Sequence, residues 1–502
     1  VLRRRLLEIQ GLPTSFARAV TNRPAAAEPS AVVPPMTLGQ ALKVAVGNAR
    51  EYQEAKETVF GSALDLDLQS DAFRSTFAGL VSAAYSDDHS GETATRAVGG
   101  SFEPGVTRKL PSGAEIGATL ALDVAKLLTG EEGSAFGVLA DLSLTVPLLR
   151  RSARDIVTEP LTQAERNLVY AIHRFERYKR TFAVDISRSF YGVLEQIRRV
   201  KNQEENLRGL ALATRRAEEL GKAGRTSEVQ VNLARQNELT ARDRLTVAKE
   251  AVTERLDRFK ILLGLPPDAQ IELDGQELSM LPSPAAAAPM TEEDALREAL
   301  VRRLDLRIAH GAVEDARRKA RVAGDALRAG MDLKVSGAAG GRRAPTSAAQ
   351  DDVELRVDRG SYRAALGLQL PWERTAERNA YRESLLALDA AVRACEAAED
   401  TVKSDVRATY RSLRQARETC AIQEQAMALA ERRVQSTEML LEAGRAGMRD
   451  VVEARDSQLL AQNAVMSARV AYRLAEMDLW RTAEMLQVTE DGVMGDVHVA
   501  RP

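Results

Sequence analysis

The stretch EELGKAGRTSEVQ, Glu218–Gln230, halts one long helical pattern and starts another. At its centre is Ala223-Gly224-Arg225. Gly suits the left-handed residue that closes a helix, and Arg sits well beside the negative end of the helix dipole. Ser227 and Gln230 then stand at capping-box spacing for a new helix. LEAGRAGMRDVVE, Leu441–Glu453, repeats the arrangement around Ala443-Gly444-Arg445, with Asp450 and Glu453 at the same spacing. Each triplet reads as the turn of a long helical hairpin.

The turns are related by an offset of 443 − 223 = 220, and the same offset aligns the arms on both sides. Before the turn, Phe182, Ile186, Phe190 and Val193 match Val402, Val406, Tyr410 and Leu413. After it, Leu245, Val252 and Phe259 match Val465, Tyr472 and Leu479, at a seven-residue period that favours supercoiled helical packing. Two unrelated helical stretches would not share one offset across three segments, so the chain is an internal duplication.

Composition narrows the class. The chain is 28% charged with a net charge of −2, which supplies no basic field for nucleic acid. Aromatic residues are only 4%, as in long-helix proteins. The two cysteines, Cys395 and Cys420, fall in one helical stretch roughly 37 Å apart, too far to bridge within it. Four scattered histidines and two cysteines argue against a dedicated metal centre. No nucleophile–base set or phosphate loop appears, so neither an enzyme nor a cofactor is expected. No run of eighteen apolar residues marks a transmembrane helix, and no Cys near Val1 supports a lipid anchor.

Taken in order, residues 1–36 read as an N-terminal arm or linker. A first repeat covers 37–267, with strands in 71–148 and a helical hairpin over 150–264. Thr37 opens a helix through TLGQALKVAVGNAREYQEAKE, whose counterpart opens at Thr291, an offset of 254. Ile116 to Val124 and Ala140 to Val146 alternate apolar with polar residues, and KLPSG, Lys109–Gly113, reads as a turn between strands. Pro147 ends the last strand, and Pro160 marks a break in the next helix or its late start. About 70 helical residues reach about 105 Å, more than three times a bilayer core, so these helices stand in water. LLGLPP, Leu262–Pro267, stops the return helix, and 268–290 form a linker. The second repeat, 291–486, has strands in 331–371 and a hairpin over 373–486, followed by a tail, 487–502. Its expected strands are Val353 to Asp358 and Leu366 to Leu370, ending at Pro371. Periodicity alone suits either a soluble sheet or a transmembrane barrel, and favours the sheet.

The ordered set of duplication, SLTVPLLR (Ser143–Arg150), AGR turns and LLGLPP resembles the TolC-like family of outer-membrane efflux proteins, over roughly residues 37–486. The resemblance implies an α+β fold: a homotrimeric transmembrane β-barrel continuous with a periplasmic α-helical barrel. It turns the reading of the strands from a soluble sheet to the membrane. It also implies a passive exit duct for efflux or type I secretion in the outer membrane of a Gram-negative-type envelope. A periplasmic adaptor and an inner-membrane transporter would be partners. The rival is a soluble structural or tethering coiled-coil protein of the envelope. Two departures stand out. The family's barrel has two strands per half, whereas residues 71–148 hold as many as four strand-like segments. The extra hairpin, near 98–124, would lengthen the wall, extend outward or fold back. Aromatic girdles are thin, with Phe73, Phe77, Tyr85, Phe102, Phe136, Tyr362 and Trp372 as candidates.

By the same resemblance, the turn residues Gly224, Arg225, Thr226, Ser227, Gly444, Arg445, Ala446, Gly447 and Met448 form the periplasmic mouth where adaptor hairpins dock. The bland reading makes them helix caps and turns only. Asp450 and Glu453 match positions where acidic side chains narrow the closed tunnel end. In a trimer they supply six carboxylates that favour cations, and their repulsion favours opening. Here too a capping role for their own helix is the alternative. Gln230 stands at the equivalent place in the first repeat, and neighbouring Arg449 is able to neutralise the acidic pair.

Overall fold

The computed structural model describes residues 35–88, 95–128, 134–281, 290–341, 355, 358, 360–370, 372–443, 445–489 and 492. The first half runs α1 (Leu38–Asn48), α2 (Arg50–Asp71), β1 (Ser75–Asp88), β2 (Thr95–Lys109), β3 (Glu115–Leu127), β4 (Ser134–Pro147), α3 (Arg154–Val157), α4 (Glu159–Lys222) and α5 (Glu228–Leu262). After α6 (Gln276–Ser279) the second half runs α7 (Glu292–Arg302), α8 (Leu304–Asp325), β5 (Gly330–Gly340), β6 (Ser361–Gln369), α9 (Thr375–Glu442) and α10 (Met448–Thr482). This is an α+β chain of long helices and one sheet. It forms two compact units that cut across the repeats. One takes Val59–Ala171 with Ile308–Glu396; the other takes the described parts of Val1–Thr58, Ile172–Arg307 and Ala397–Pro502.

The first unit holds the sheet, a six-stranded antiparallel meander in the order β1-β2-β3-β4-β5-β6. Successive strand residues face opposite sides, so the register decides what each face carries. Phe77 pairs with Val106, Val106 with Ala118, Ala118 with Leu142, Leu142 with Gly337, and Gly337 with Tyr362. Val81, Phe102, Leu122 and Val138 form another such row. One face is therefore apolar across all six strands. The other carries small and polar residues, such as Ser82, Ser101, Thr119, Asp141 and Ser336. The apolar face is uncovered, with Phe77 81% and Val81 75% exposed. Gly113, at φ 82°, closes the turn after Lys109, and its N–H bonds the Leu110 carbonyl at 2.8 Å. The β2–β3 hairpin does not fold back but lies within the sheet, between β1 and β4.

Two sequence expectations need correction here. The second-half strand placed at Val353 to Asp358 lies mostly outside the described residues. Leu355 and Asp358 lie outside any strand, and 353, 354, 356 and 357 fall outside the described residues, as does Pro371. The strand that pairs with β4 is β5, whose Met331, Leu333 and Val335 alternate with Asp332 and Lys334. Histidine and cysteine are also less scattered than the sequence suggests, since His310 of α8 and Cys395 of α9 meet with Sγ 3.3 Å from Nδ1.

A charged knot ties helices of this unit together. Asp315 of α8 is 6% exposed and faces the first turns of α4. Arg166 approaches its carboxylate at 2.5 Å and Arg318 at 2.9 Å, while the Tyr170 hydroxyl donates to it at 2.9 Å. Arg318 also holds buried Glu159 at 2.9 Å. Pro160 follows Glu159 in the first turn of α4, where its missing N–H costs nothing, so it marks a late start.

The second unit holds two related apolar cores. Ala41, Leu42 and Ala45 of α1 pack with Phe182, Ile186, Phe190, Val193 and Phe259. Ala295 and Ala299 of α7 pack with Val402, Val406, Leu413, Tyr472 and Leu479. Those sets follow the offsets read from the sequence. Full burial of each large side chain contributes about 1.5–3 kcal/mol. Each core opens on a threonine cap: the Thr37 hydroxyl accepts from the Gln40 N–H at 3.3 Å, and Thr291 from Asp294 at 3.2 Å.

The helices expected from Thr37 and Thr291 are each broken in two. Ala49 and Arg303 leave helical geometry at ψ 127° and 120°, again at the offset 303 − 49 = 254. No proline marks either break; tertiary contacts impose them. In the first half, Gly264 ends α5 at φ 74° and sits so close that a Cβ there would come within 2.2 Å of the Asn48 carbonyl oxygen. Its counterpart, at the offset 484 − 264 = 220, is Glu484. That residue is also left-handed, at φ 57°, and also closes its helix, with the Met485 N–H on the Trp480 carbonyl at 2.9 Å. There the Glu484 carboxylate is buried against Arg177 at 3.4 Å and Arg180 at 2.8 Å. Arg303, 4% exposed, joins Asp305 at 2.7 Å and Asp405 at 3.1 Å, and Asp305 also meets Arg177.

This cluster gives the unit an acid-sensitive joint. Burial alone would raise Asp305, but hydrogen bonds and charge from Arg303 and Arg177 prevail and hold it at about 2. Its contribution is complete above the ordinary value of 3.8 and is lost as pH falls through 2. Glu484 runs the other way: burial raises it against the pull of Arg180 and Arg177, so its share grows as pH falls. Thermal unfolding between pH 5 and pH 2.5 is expected to show less acid loss in Asp305→Asn than in the unmodified chain. Equal slopes would remove Asp305 from the account.

Candidate functional site at the helical hairpin turns

The first turn closes with paired backbone bonds across a left-handed glycine. Gly224 has φ 72°, its N–H meets the Gly221 carbonyl at 3.0 Å, and the Arg225 N–H reaches Leu220 at 2.9 Å. This Schellman closure leaves the Arg225 side chain exposed past the helix end. Ser227 heads α5 without a side-chain bond. Thr226 intercepts Gln230 instead, its hydroxyl 3.2 Å from Oε1, so the expected Ser227–Gln230 capping box does not form.

At the second turn the Arg445 N–H reaches the Leu440 carbonyl at 2.8 Å and Ala446 the same oxygen at 3.2 Å. Gly444 lies outside the described residues, as does the Met448 side chain. Helix α10 begins at Met448 with Gly447 as its cap. Asp450 is therefore the third helical residue rather than the cap, and its carboxylate accepts the Gly447 N–H at 2.8 Å. Glu453 is in no capping box. It projects to solvent and pairs with Arg433 of the descending arm at 2.8 Å. Arg433, not the adjacent Arg449, is its cation. Both carboxylates are exposed on α10, whose neighbours Val451, Val452 and Ala454 are buried.

Sequence reading missed the braces beside the turns. Arg235 holds Glu218 at 2.8 Å, and Arg455 holds Glu438. These are one pair copied, since 438 − 218 and 455 − 235 both equal 220. The signal was available: opposite charges at positions 218 and 235, centred on a turn, face each other across a hairpin. Arg433–Glu453 has no such copy, because Ala213 and Leu233 occupy the first-repeat places. The two hairpins join through Leu210, Ala241 and Val452, and through Asn202, whose amide donates to Asn463 at 2.9 Å. The turns are thus held from both sides while their polar edges stay open.

This order of helix pairs, meander sheet and doubled long hairpins is similar in fold to solved outer-membrane channels. Residues 295–482 match the model of the Outer membrane efflux protein family. Among solved structures, the open state of the Neisseria gonorrhoeae MtrE outer membrane channel aligns at TM-score 0.64 and 13% identity, covering 89% of this chain and 88% of that one. The Vibrio cholerae outer membrane protein VceC aligns at 0.63 and 13%, covering 89% and 95%. The Campylobacter jejuni CmeC outer membrane channel aligns at 0.62 and 13%, covering 91% and 86%. No curated protein matches the chain by sequence.

Proposed function

We propose that the chain is one protomer of a trimeric, passive outer-membrane conduit whose helices extend into the periplasm. The observation that carries this reading is the sheet's uncovered apolar face, continuous over six strands. On β4 it runs ten steps, from Phe136 to Val146. That is about 33 Å along the strand and about 25 Å tall when tilted by about 40°, the height of an outer-membrane apolar band. A soluble scaffold would hold that face in water, whereas soluble monomers rarely expose contiguous apolar patches larger than a few hundred Å². The fold of MtrE, VceC and CmeC supports the same reading.

The conduit needs no catalytic group. Energy and direction come from an inner-membrane transporter, and a periplasmic adaptor docks on the turns around Gly224–Ser227 and Arg445–Met448. Asp450 and Glu453 narrow the periplasmic end, with Arg433 as the counter-ion that tempers Glu453. Light scattering of the detergent-extracted chain tests the assembly: three copies are expected, and a detergent-independent monomer or dimer would refute it. Planar-bilayer recordings test the acidic residues. Asp450→Asn with Glu453→Gln is expected to lower cation-over-anion permeability at least twofold. Unchanged selectivity and conductance would leave Asp450 as a cap and Glu453 as one half of a surface ion pair.

A further inference from the structure

The β2–β3 hairpin sits between β1 and β4 and carries the apolar face through without a gap. That face runs from Phe77 to Tyr85 on β1 and from Leu368 to Tyr362 along β6. Following the pairing across from Phe77 leads to Tyr362. The lower end of the band on β1 is thus level, along the hydrogen bonds, with its upper end on β6. The band drops by 85 − 77 = 8 positions along the chain over the five steps between six strands. With about 3.3 Å per residue and about 4.7 Å between strands, the band lies level only if the strands incline by roughly 48°. Strands that cross a bilayer incline by about 45°. Across the hairpin the upper end steps down by two positions, since Val98 is level with Tyr85 and Val124 with Gly100, and the rest of the drop falls between β4 and β6.

Among the described residues, strands β1 and β6 each keep one edge unpaired, which hydrocarbon does not tolerate. Because the strand number is even, β6 and the next copy's β1 run antiparallel. We propose that three copies of the chain close edge to edge into a barrel of 3 × 6 = 18 strands. The resemblance, at two strands per half, implies twelve. The proposal rests on the membrane-conduit reading and sets its bore. At about 4.7 Å spacing and about 45° tilt, eighteen strands enclose a backbone diameter of about 38 Å and twelve about 26 Å. The cross-section roughly doubles, which fits a duct for bulky or polymeric cargo at its outer end.

Electron cryo-microscopy of the extracted chain, with its mass from light scattering, reads the barrel directly. Three copies around a wall about 38 Å across are expected. Three copies around about 26 Å would overturn the proposal and leave the conduit standing. Any other copy number would remove both. Labelling in isolated outer membranes, in a background without Cys395 and Cys420, gives a second readout. Ser101→Cys should react with a water-soluble maleimide from the lumen, whereas Phe102→Cys and Leu122→Cys should react only with a lipid-soluble one. Water-soluble labelling of Phe102→Cys and Leu122→Cys would place the hairpin outside the bilayer and sink the eighteen-stranded wall.

Discussion

Gly264→Val is expected to destabilise the chain by about 4 kcal/mol or more, enough to remove most folded protein. Two costs add. A β-branched residue at φ 74° is strained by roughly 1–2 kcal/mol. Its Cβ would also stand 2.2 Å from the Asn48 carbonyl oxygen, so the joint between α1 and α2 must shift. Gly224→Ala is the control. Gly224 has nearly the same φ, 72°, but nothing lies within 4 Å of its virtual Cβ, so about 1 kcal/mol is expected. Thermal unfolding and yield from membranes separate the two. Equal losses would mean that backbone strain, not close approach, governs both sites.

Asp315→Leu should cost about 3–5 kcal/mol, as expected when one partner leaves a buried charge cluster. Arg166 would lose its carboxylate, Arg318 would keep Glu159 and Gln163 but lose one of its two carboxylates, and the Tyr170 hydroxyl would lose its acceptor. Glu453→Gln provides the comparison, since its ion pair with Arg433 is 64% and 51% exposed and should cost no more than about 1 kcal/mol. Denaturant unfolding of both variants checks the ranking. A Glu453→Gln loss matching that of Asp315→Leu would show that burial does not set the scale.

The helices and most strands were legible because their signals are local and periodic: Phe182 to Val193 repeats at helical spacing, and Ile116 to Val124 alternates. The duplication was legible because Phe259 and Leu479 do the same work in the two cores. The breaks at Ala49 and Arg303 were hidden, since their causes sit at Asn48–Gly264 and Arg303–Asp405, far off in sequence. Strand β5 was passed over because Gly337, Ala338 and Ala339 dilute its pattern, while Val353 to Val357 alternates more plainly. At the turns, Gly224 declared itself, but the braces did not. Those of Arg235 and Arg455 need the hairpin register, and Arg433–Glu453 has no counterpart in the first repeat to point to it.

The joint at Gly264 and Glu484 bears on the chain's ancestry. Two once-identical halves have specialised at one structural position: the first closes with bare backbone, the second with a carboxylate. That carboxylate answers Arg177 and Arg180, which belong to the first half and are replaced by Ala397 and Asp400 in the second. A gene fusing two first halves would therefore encode four such arginines and no glutamate to receive them. The halves have become complementary, and neither is able to stand in for its sister.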